Sequence, residues 1–237
     1  ILGGTNFSLH YRFLRGDFTA HLRNEEFRFF LFIAAVAALV IGFDTYYNNY
    51  VSLPETAEHS LFQVVSILTT TGFTTADYEQ WSLTSQLMLF TLMFVGGCAG
   101  STSGGMKIMR IQLLLKFVSS EVTRLLHPRA VVPVRVGSNA VPREVVTNVL
   151  GYSILFVGLF AAGSLVMTTI GLDLTTATGA VAATLGNIGP GLGMVGPTDG
   201  YSQVPLLGKW VLSTLMLVGR LDIFTVIVLL SPLFWKK

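Results

Sequence analysis

Two short strings, each centred on a glycine, carry the chemistry that stands out in this sequence. The first comprises Thr70, Thr71 and Gly72, and the second comprises Asn187, Ile188 and Gly189. Glycine tolerates a positive φ, so it allows consecutive carbonyl oxygens to point to one side of the chain. Such an array of oxygens can replace the hydration shell of a cation without any covalent chemistry. We therefore expect the two strings to bind cations through their backbone.

The order of residues in the first string and just after it is informative. Threonine, any residue, glycine and an aromatic residue follow one another from Thr70 to Phe73, which copies the order of potassium filters. The second string keeps the central Gly189 and changes the residues around it. An isolated string of this kind is also compatible with an ordinary surface turn, but two such strings in similar surroundings favour a filter.

A third string, residues 96–105, combines glycine and small hydroxyl residues around the single cysteine, Cys98. Its other members are Gly96, Gly97, Ala99, Gly100, Ser101, Thr102, Ser103, Gly104 and Gly105. This composition cannot hold a regular helix, so we expect a flexible loop below the first string and a candidate gate. The alternative is a packing kink, because small residues also let membrane helices approach closely.

Two charges, Arg220 and Asp222, fall inside the last apolar segment, where a charge is costly and usually faces a partner or water. Residues two apart point away from each other on a helix, so we expect no ion pair between them. We expect Arg220 to reach the 96–105 loop or to stand beside a pore. For Asp222 we expect Arg110, Lys107 or another chain as the partner, and a structural ion pair is the alternative for both.

The sequence offers no arrangement typical of an enzyme. No nucleophile, base and orienting acid fall together in the apolar segments, and the histidines lack the spacing of metal ligands. One cysteine excludes an internal disulfide and a multi-cysteine metal site. We expect a protein that is not an enzyme, has no organic cofactor and binds no nucleic acid.

The composition decides which elements position these strings. Of 237 residues, 51% are hydrophobic and only 12% are charged. Soluble domains carry about 25% charged residues, so this is a membrane chain. We expect an all-α, polytopic membrane protein.

The apolar segments repeat in order along the chain. We predict four crossings, over residues 27–48, 83–118 interrupted by the third string, 145–170 and 210–235. Two half-length apolar segments, 56–68 and 174–185, precede the first and second strings and indicate re-entrant pore helices. This order gives two pore repeats, 27–119 and 144–237, with cytoplasmic connectors 1–26 and 120–143.

The charges are sorted by side. Arginines crowd the two connectors, which are therefore predicted to be cytoplasmic, whereas acidic residues surround the half-length segments on the other side. Acidic mouths above the strings would concentrate cations by electrostatic focusing. The pattern favours a cation pathway over an anion pathway.

Four motifs together resemble the Trk/Ktr/HKT potassium transporter superfamily over essentially the whole chain: residues 69–75, 96–105, 185–193 and 219–225. The resemblance implies four helix, pore-helix, helix repeats in one polypeptide around a single pore, of which this chain resembles the third and fourth. Thr70, Thr71 and Gly72 would supply one quarter of the filter. Asn187, Ile188 and Gly189 would supply another. K⁺ would bind at Thr70, Thr71, Asn187 and Ile188, above an obstructing 96–105 loop faced by Arg220.

The resemblance also implies partners and a location. The partners are the two remaining repeats of the parent polypeptide, a second copy in a homodimer and a cytosolic nucleotide-binding ring of the TrkA type. The location is the bacterial inner membrane, which the protein crosses several times, and K⁺ is the transported ion. Two other functions stay open: a secondary transporter of another family whose broken helices bind substrate and ion at the midplane, and a membrane module that does not conduct.

Overall fold

The computed structural model describes residues 1–50, 52–130, 132–137 and 139–235, and these are mostly helical. The helices are α1 Phe7–Leu14, α2 Ala20–Arg23, α3 Glu25–Asn48, α4 Leu53–Leu68, α5 Leu83–Leu92, α6 Ile108–Leu126, α7 Arg143–Thr169, α8 Leu174–Leu185, α9 Leu206–Leu221, α10 Ile223–Leu230 and α11 Pro232–Trp235. One short antiparallel hairpin, β1 Arg135–Val136 with β2 Asn139–Ala140, lies between α6 and α7. The all-α prediction is confirmed.

Local sequence signals explain where the helices begin. The Asn24 side chain accepts from the Phe27 N–H at 2.8 Å and caps α3, and Asp173 caps α8 through the Thr176 N–H at 3.1 Å. Proline at 142 and at 205 directly precedes α7 and α9, where its missing N–H costs no helical hydrogen bond.

The two halves of the chain fold in the same order. In the first half α3 packs on the half-length α4 and on α5, and in the second half α7 packs on the half-length α8 and on α9. At a rise of 1.5 Å per residue, α4 and α8 are about 24 and 18 Å long, short of the ~30 Å hydrocarbon core. A half-length helix therefore precedes each of the two strings.

Two buried cores, one mainly from each half of the chain, meet through aromatic side chains. Phe94, just after α5, packs edge-on against Phe160 of α7 with ring centroids 4.8 Å apart. Both rings contact the first and the second core. The two halves consequently form one packed body.

The predicted crossings agree in part with the helices. By length and composition, α3 and α7 can span a membrane, and the bent pair α9 and α10 gives a third candidate among the described residues. The crossing predicted over 83–118 is divided between α5 and α6. A single helix over 210–235 is wrong, because the chain bends by 108° at Asp222, whose φ of 72° is incompatible with a continuous right-handed helix.

Candidate functional site

The first string continues from the C-terminal end of α4 in a turn that closes the helix. The Thr70 N–H donates to the Ile67 carbonyl at 3.0 Å, and the Thr71 N–H donates to the Ser66 carbonyl at 2.8 Å. This pairing, with a left-handed residue at its centre, is the Schellman motif that satisfies the last carbonyls of a helix. Thr70 has φ 53° and Gly72 has φ 76°, so positive values flank Thr71.

The second string leaves α8 in the same way. The Asn187 N–H donates to the Thr184 carbonyl at 3.0 Å, and the Ile188 N–H donates to the Ala183 carbonyl at 2.8 Å. Asn187 has φ 55° and Gly189 has φ 118°. The two strings thus share a backbone path position by position, with a non-glycine residue in the left-handed region each time. That conformation costs about 1 kcal/mol or more, so two independent segments accept the same strain.

The strings approach each other directly. A Cβ placed on Gly72 would overlap the Ile188 carbonyl oxygen and would lie 3.2 Å from Cδ of Pro190. Only glycine fits here, for its missing side chain as well as for its φ. The structure therefore brings the predicted residues of both halves to one place.

Side-chain hydroxyls hold the carbonyl just after the first string and the last carbonyl of the second string. Ser66 Oγ donates to the Phe73 carbonyl at 2.6 Å, and the Tyr201 hydroxyl donates to the Gly189 carbonyl at 2.7 Å. Sequence reasoning missed both supporting residues. Tyr201 lies 12 residues beyond its acceptor in a short 3₁₀ turn, and no local motif marks it.

A brace from the first half reaches the segment after the second string. Tyr78, which is fully buried, donates its hydroxyl to the Gly191 carbonyl at 2.7 Å. The neighbouring Glu79 carboxylate accepts from the Gly193 N–H at 2.5 Å. Burial raises the pKa of the Glu79 carboxyl, with a further contribution from the charges of Asp77 and Asp199, while the Gly193 N–H opposes the rise.

The 96–105 loop leaves the helical path and closes on itself at its base. The Gly96 N–H donates to the Met106 carbonyl at 2.8 Å, and the Ile108 N–H donates to the Gly97 carbonyl at 3.1 Å. The non-helical prediction for this segment holds. Most of the loop's N–H groups have hydrogen-bond partners in this conformation.

The loop lies directly against both strings. The Gly104 N–H donates to Oγ1 of Thr70 at 2.8 Å. A Cβ on Gly104 would overlap the Gly186 carbonyl oxygen and would lie 2.8 Å from Cβ of Asn187. The loop therefore fills the space next to the first residue of each string.

Two cationic side chains, Arg220 and Lys107, donate hydrogen bonds to carbonyl oxygens of the loop. Arg220 Nη1 donates to the Thr102 carbonyl at 2.7 Å, and Lys107 Nζ donates to the Ser103 carbonyl and lies 3.4 Å from the Ser101 carbonyl. A polar cavity of about 290 Å³ opens here between the loop and the residues Lys107, Arg110, Tyr152, Arg220 and Asp222.

Asp222 forms an ion pair with Arg110 of α6, one of the partners expected for it. Its Oδ2 accepts from Arg110 Nη2 at 2.7 Å, and the Arg110 guanidinium lies 3.6 Å from the centroid of the Tyr152 ring. Arg220 and Asp222 bind different groups and do not pair with each other. The bend after α9 is thereby tied to the first turn of α6.

The segment before α1 also contacts the loop. The Cys98 N–H donates to the Gly4 carbonyl at 2.8 Å, the Thr102 N–H donates to the Gly3 carbonyl at 3.1 Å, and the Phe7 N–H donates to the Gly100 carbonyl at 3.1 Å. Thr5, which lies between Gly4 and Phe7 in the sequence, is buried. Sequence reasoning, which treats residues 1–26 as a connector, contains no hint of this contact.

Comparisons with known proteins agree with this arrangement. The family model of TrkH, described as a cation transport protein, matches residues 1–237. The chain is 42% identical over 241 residues to the Trk system potassium uptake protein TrkH of Vibrio parahaemolyticus and 38% identical over 242 residues to that of Salmonella typhimurium. In each case all of this chain is aligned with 49% of the relative.

A solved structure gives the same picture. The crystal structure of the potassium transporter TrkH from Vibrio parahaemolyticus superimposes with a TM-score of 0.92 at 40% identity, covering 99% of this chain and 51% of that one. The chain spans about half the length of the relatives it matches. The family model covers every residue, and the fold agrees; this chain therefore belongs to the TrkH family of cation transport proteins.

Proposed function

We propose that this chain is the C-terminal half, with the third and fourth pore repeats, of a potassium uptake protein, and that the two strings are half of its selectivity filter. One observation carries the proposal: both half-helices end in the same strained turn, and the two strings are in contact where Gly72 meets the Ile188 carbonyl. The relatives, named potassium uptake proteins, supply the ion.

The carbonyl oxygens of Thr70, Thr71, Asn187 and Ile188 are the proposed K⁺ ligands of this half. Positive φ at the first and third position of each string turns the intervening peptide relative to its neighbours, which is the backbone freedom that a carbonyl array needs. The C-terminal ends of α4 and α8 add the negative ends of their dipoles at the same place. The transport step is dehydration and rehydration of the ion.

The 96–105 loop is the proposed gate. It contacts the first residue of both strings, and Arg220 and Lys107 donate hydrogen bonds to its carbonyl oxygens. Opening requires that these contacts break. In this proposal the loop obstructs the ion path in the present conformation and leaves it open when displaced.

The complete protein is proposed to contain two further repeats, because the chain spans about half of its relatives. Those repeats would supply the other two quarters of the filter. A homodimer, a TrkA-like cytosolic ring that controls the gate, and a multi-pass position in the bacterial inner membrane complete the proposal. The family match leaves the alternative of a secondary transporter from another family without support.

Potassium and sodium flux into proteoliposomes tests this function. The parent protein, restored at its N-terminal side, is compared with the present 237-residue chain. Selective K⁺ flux from the parent alone supports a four-repeat pore, and selective flux from the short chain would mean that two copies assemble the filter. Absence of flux from both would contradict the proposal and favour a module that does not conduct.

A further inference from the structure

Glu26, a buried acid at the start of α3, touches the gate loop at a point that the proposed gating contacts leave unused. Its side chain is only 3% exposed, and Oε1 accepts from the Ala99 N–H at 2.6 Å. The Met109 N–H in the first turn of α6 also faces the carboxylate. Glu26 is therefore joined to the loop and to the helix that follows it.

Donors and acceptors outside the loop hold different backbone groups of it. Cationic Arg220 and Lys107 bind carbonyl oxygens of residues 101–103. Acceptors bind N–H groups of the loop: the Glu26 carboxylate at Ala99 and the backbone carbonyls of Gly4 and Gly3 at positions 98 and 102. Among these acceptors Glu26 alone carries a charge, and hydrogen bonds to a charged group are about twice as strong as neutral ones.

The neighbouring acid shows that the position of Glu26 is specific. Glu25, one residue earlier on the same helix, pairs with Lys116 and accepts from the Gly137 N–H at 2.5 Å. It faces the segment between α6 and α7 and makes no hydrogen bond to the loop. Two adjacent carboxylates thus serve different partners.

Because Glu26 is buried, its contact with the loop affects how firmly the loop is held. A carboxylate out of water must be compensated by donors or by a nearby cation, and here the compensating groups belong to the gate loop and its exit, including Lys107. Displacing the loop would remove the Ala99 donor from the buried carboxylate, so the carboxylate favours the seated loop.

We propose that Glu26 is a positioning residue of the gate: its carboxylate fastens the 96–105 loop in the obstructing position at Ala99, through a contact separate from that of Arg220. The inference deepens the proposed function and rests on it for its consequence on flux. Glu26 lies two residues after Asn24, the N-cap of α3, so its position is fixed to the start of this helix.

The test uses the parent protein with Glu26→Ala, Glu26→Gln and the matched control Glu25→Ala. Deletion of residues 98–103 is the reference for an absent gate. K⁺ flux without the cytosolic ring is one readout. The other is the rate at which a water-soluble thiol reagent modifies Cys98, measured by mass spectrometry of its peptide, since this thiol lies in the loop and is 1% exposed.

We expect Glu26→Ala to raise both the flux and the Cys98 modification rate about tenfold, the effect of losing a hydrogen bond to a charged group. Glu26→Gln keeps an acceptor oxygen without the charge and should give a smaller rise in both, whereas Glu25→Ala should match the parent. Parent-like flux and Cys98 modification in the alanine and glutamine variants would overturn the inference.

The deletion separates this inference from the gate proposal. If removal of residues 98–103 raises flux but neither Glu26 variant does, the gate stands and the role of Glu26 is refuted. If the deletion leaves flux unchanged, the gate proposal fails, and the Cys98 rate still decides whether Glu26 fastens the loop. Where Glu26→Ala fails to fold, Glu26→Gln decides by the same two readouts.

Discussion

The Thr70 hydroxyl accepts a hydrogen bond from the Gly104 N–H at 2.8 Å, which joins the first string to the gate loop. Thr70 also occupies the left-handed position that starts the string. One residue therefore contributes its backbone to the proposed filter and its side chain to the proposed gate. A displacement of the loop must either break this bond or move the string.

Thr70→Val removes the hydroxyl while keeping a β-branched side chain of nearly the same shape. Gly104 then loses its acceptor, which costs about 1 kcal/mol or more for a buried N–H. We expect a several-fold rise in K⁺ flux in the parent protein. Thr70→Ser retains the hydroxyl and serves as the control; equal flux in the valine and serine variants would contradict the link.

Tyr78→Phe deletes only the hydroxyl that reaches from the first half to Gly191. The buried carbonyl is left without this partner, so we expect a loss of about 1–3 kcal/mol and a lower K⁺/Na⁺ flux ratio from a looser second string. The melting temperature and the flux ratio are the measurements. Tyr47→Phe, at a ring that is 69% exposed, is the control, and a parent-like ratio for Tyr78→Phe would show that the brace is dispensable for selectivity.

The raised pKa of the Glu79 carboxyl predicts that the stability of the protein depends on pH. Burial raises its folded pKa above the ordinary 4.5, so ionisation is easier in the unfolded chain. Its contribution to stability therefore declines as the pH rises from the unfolded pKa through the folded one. The melting temperature of the wild-type chain, relative to that of Glu79→Gln, should fall as the pH rises above the ordinary carboxyl pKa of 4.5. A difference that grows with pH would reverse the assigned sign.

The Arg110–Asp222 pair predicts a coupling between α6 and the bend after α9. Both side chains are partly exposed, so solvent screening limits the pair to about 1 kcal/mol. A double-mutant cycle with Arg110→Gln and Asp222→Asn, followed by thermal unfolding, should return a coupling of about this size. Strictly additive effects would mean that the bend depends on backbone geometry alone.

Much of the architecture could be predicted because it has a local cause. Apolar length gives α3 and α7, and the half-length segments give α4 and α8, with the end of each half-helix at the predicted residue. The strings follow as the segments where helix must stop, and positive φ at Gly72 and Gly189 agrees with the reason for expecting glycine there.

The contacts that could not be predicted are long-range. Tyr78 meets Gly191, and Gly3 meets Thr102, across about a hundred residues, with no periodicity or motif to mark either pair. The break at Asp222 has a partial signal, since a charge inside an apolar run needs a partner, but hydropathy alone continues through it. Glu26 lies at a helix start, where acids are common, and no motif in the sequence marks its contact with Ala99.

The central claim is that the two strings form part of one selectivity filter. Its most direct test is the K⁺/Na⁺ flux ratio of Gly72→Ala and Gly189→Ala in the parent protein. At Gly72 a methyl group meets the Ile188 carbonyl oxygen and a φ of 76°, whereas at Gly189 it meets open space and φ strain alone. We predict a lower ratio in both variants, about tenfold for Gly72→Ala and less for Gly189→Ala, because strain at either string disturbs the carbonyl array. An unchanged ratio in Gly72→Ala would contradict the filter assignment.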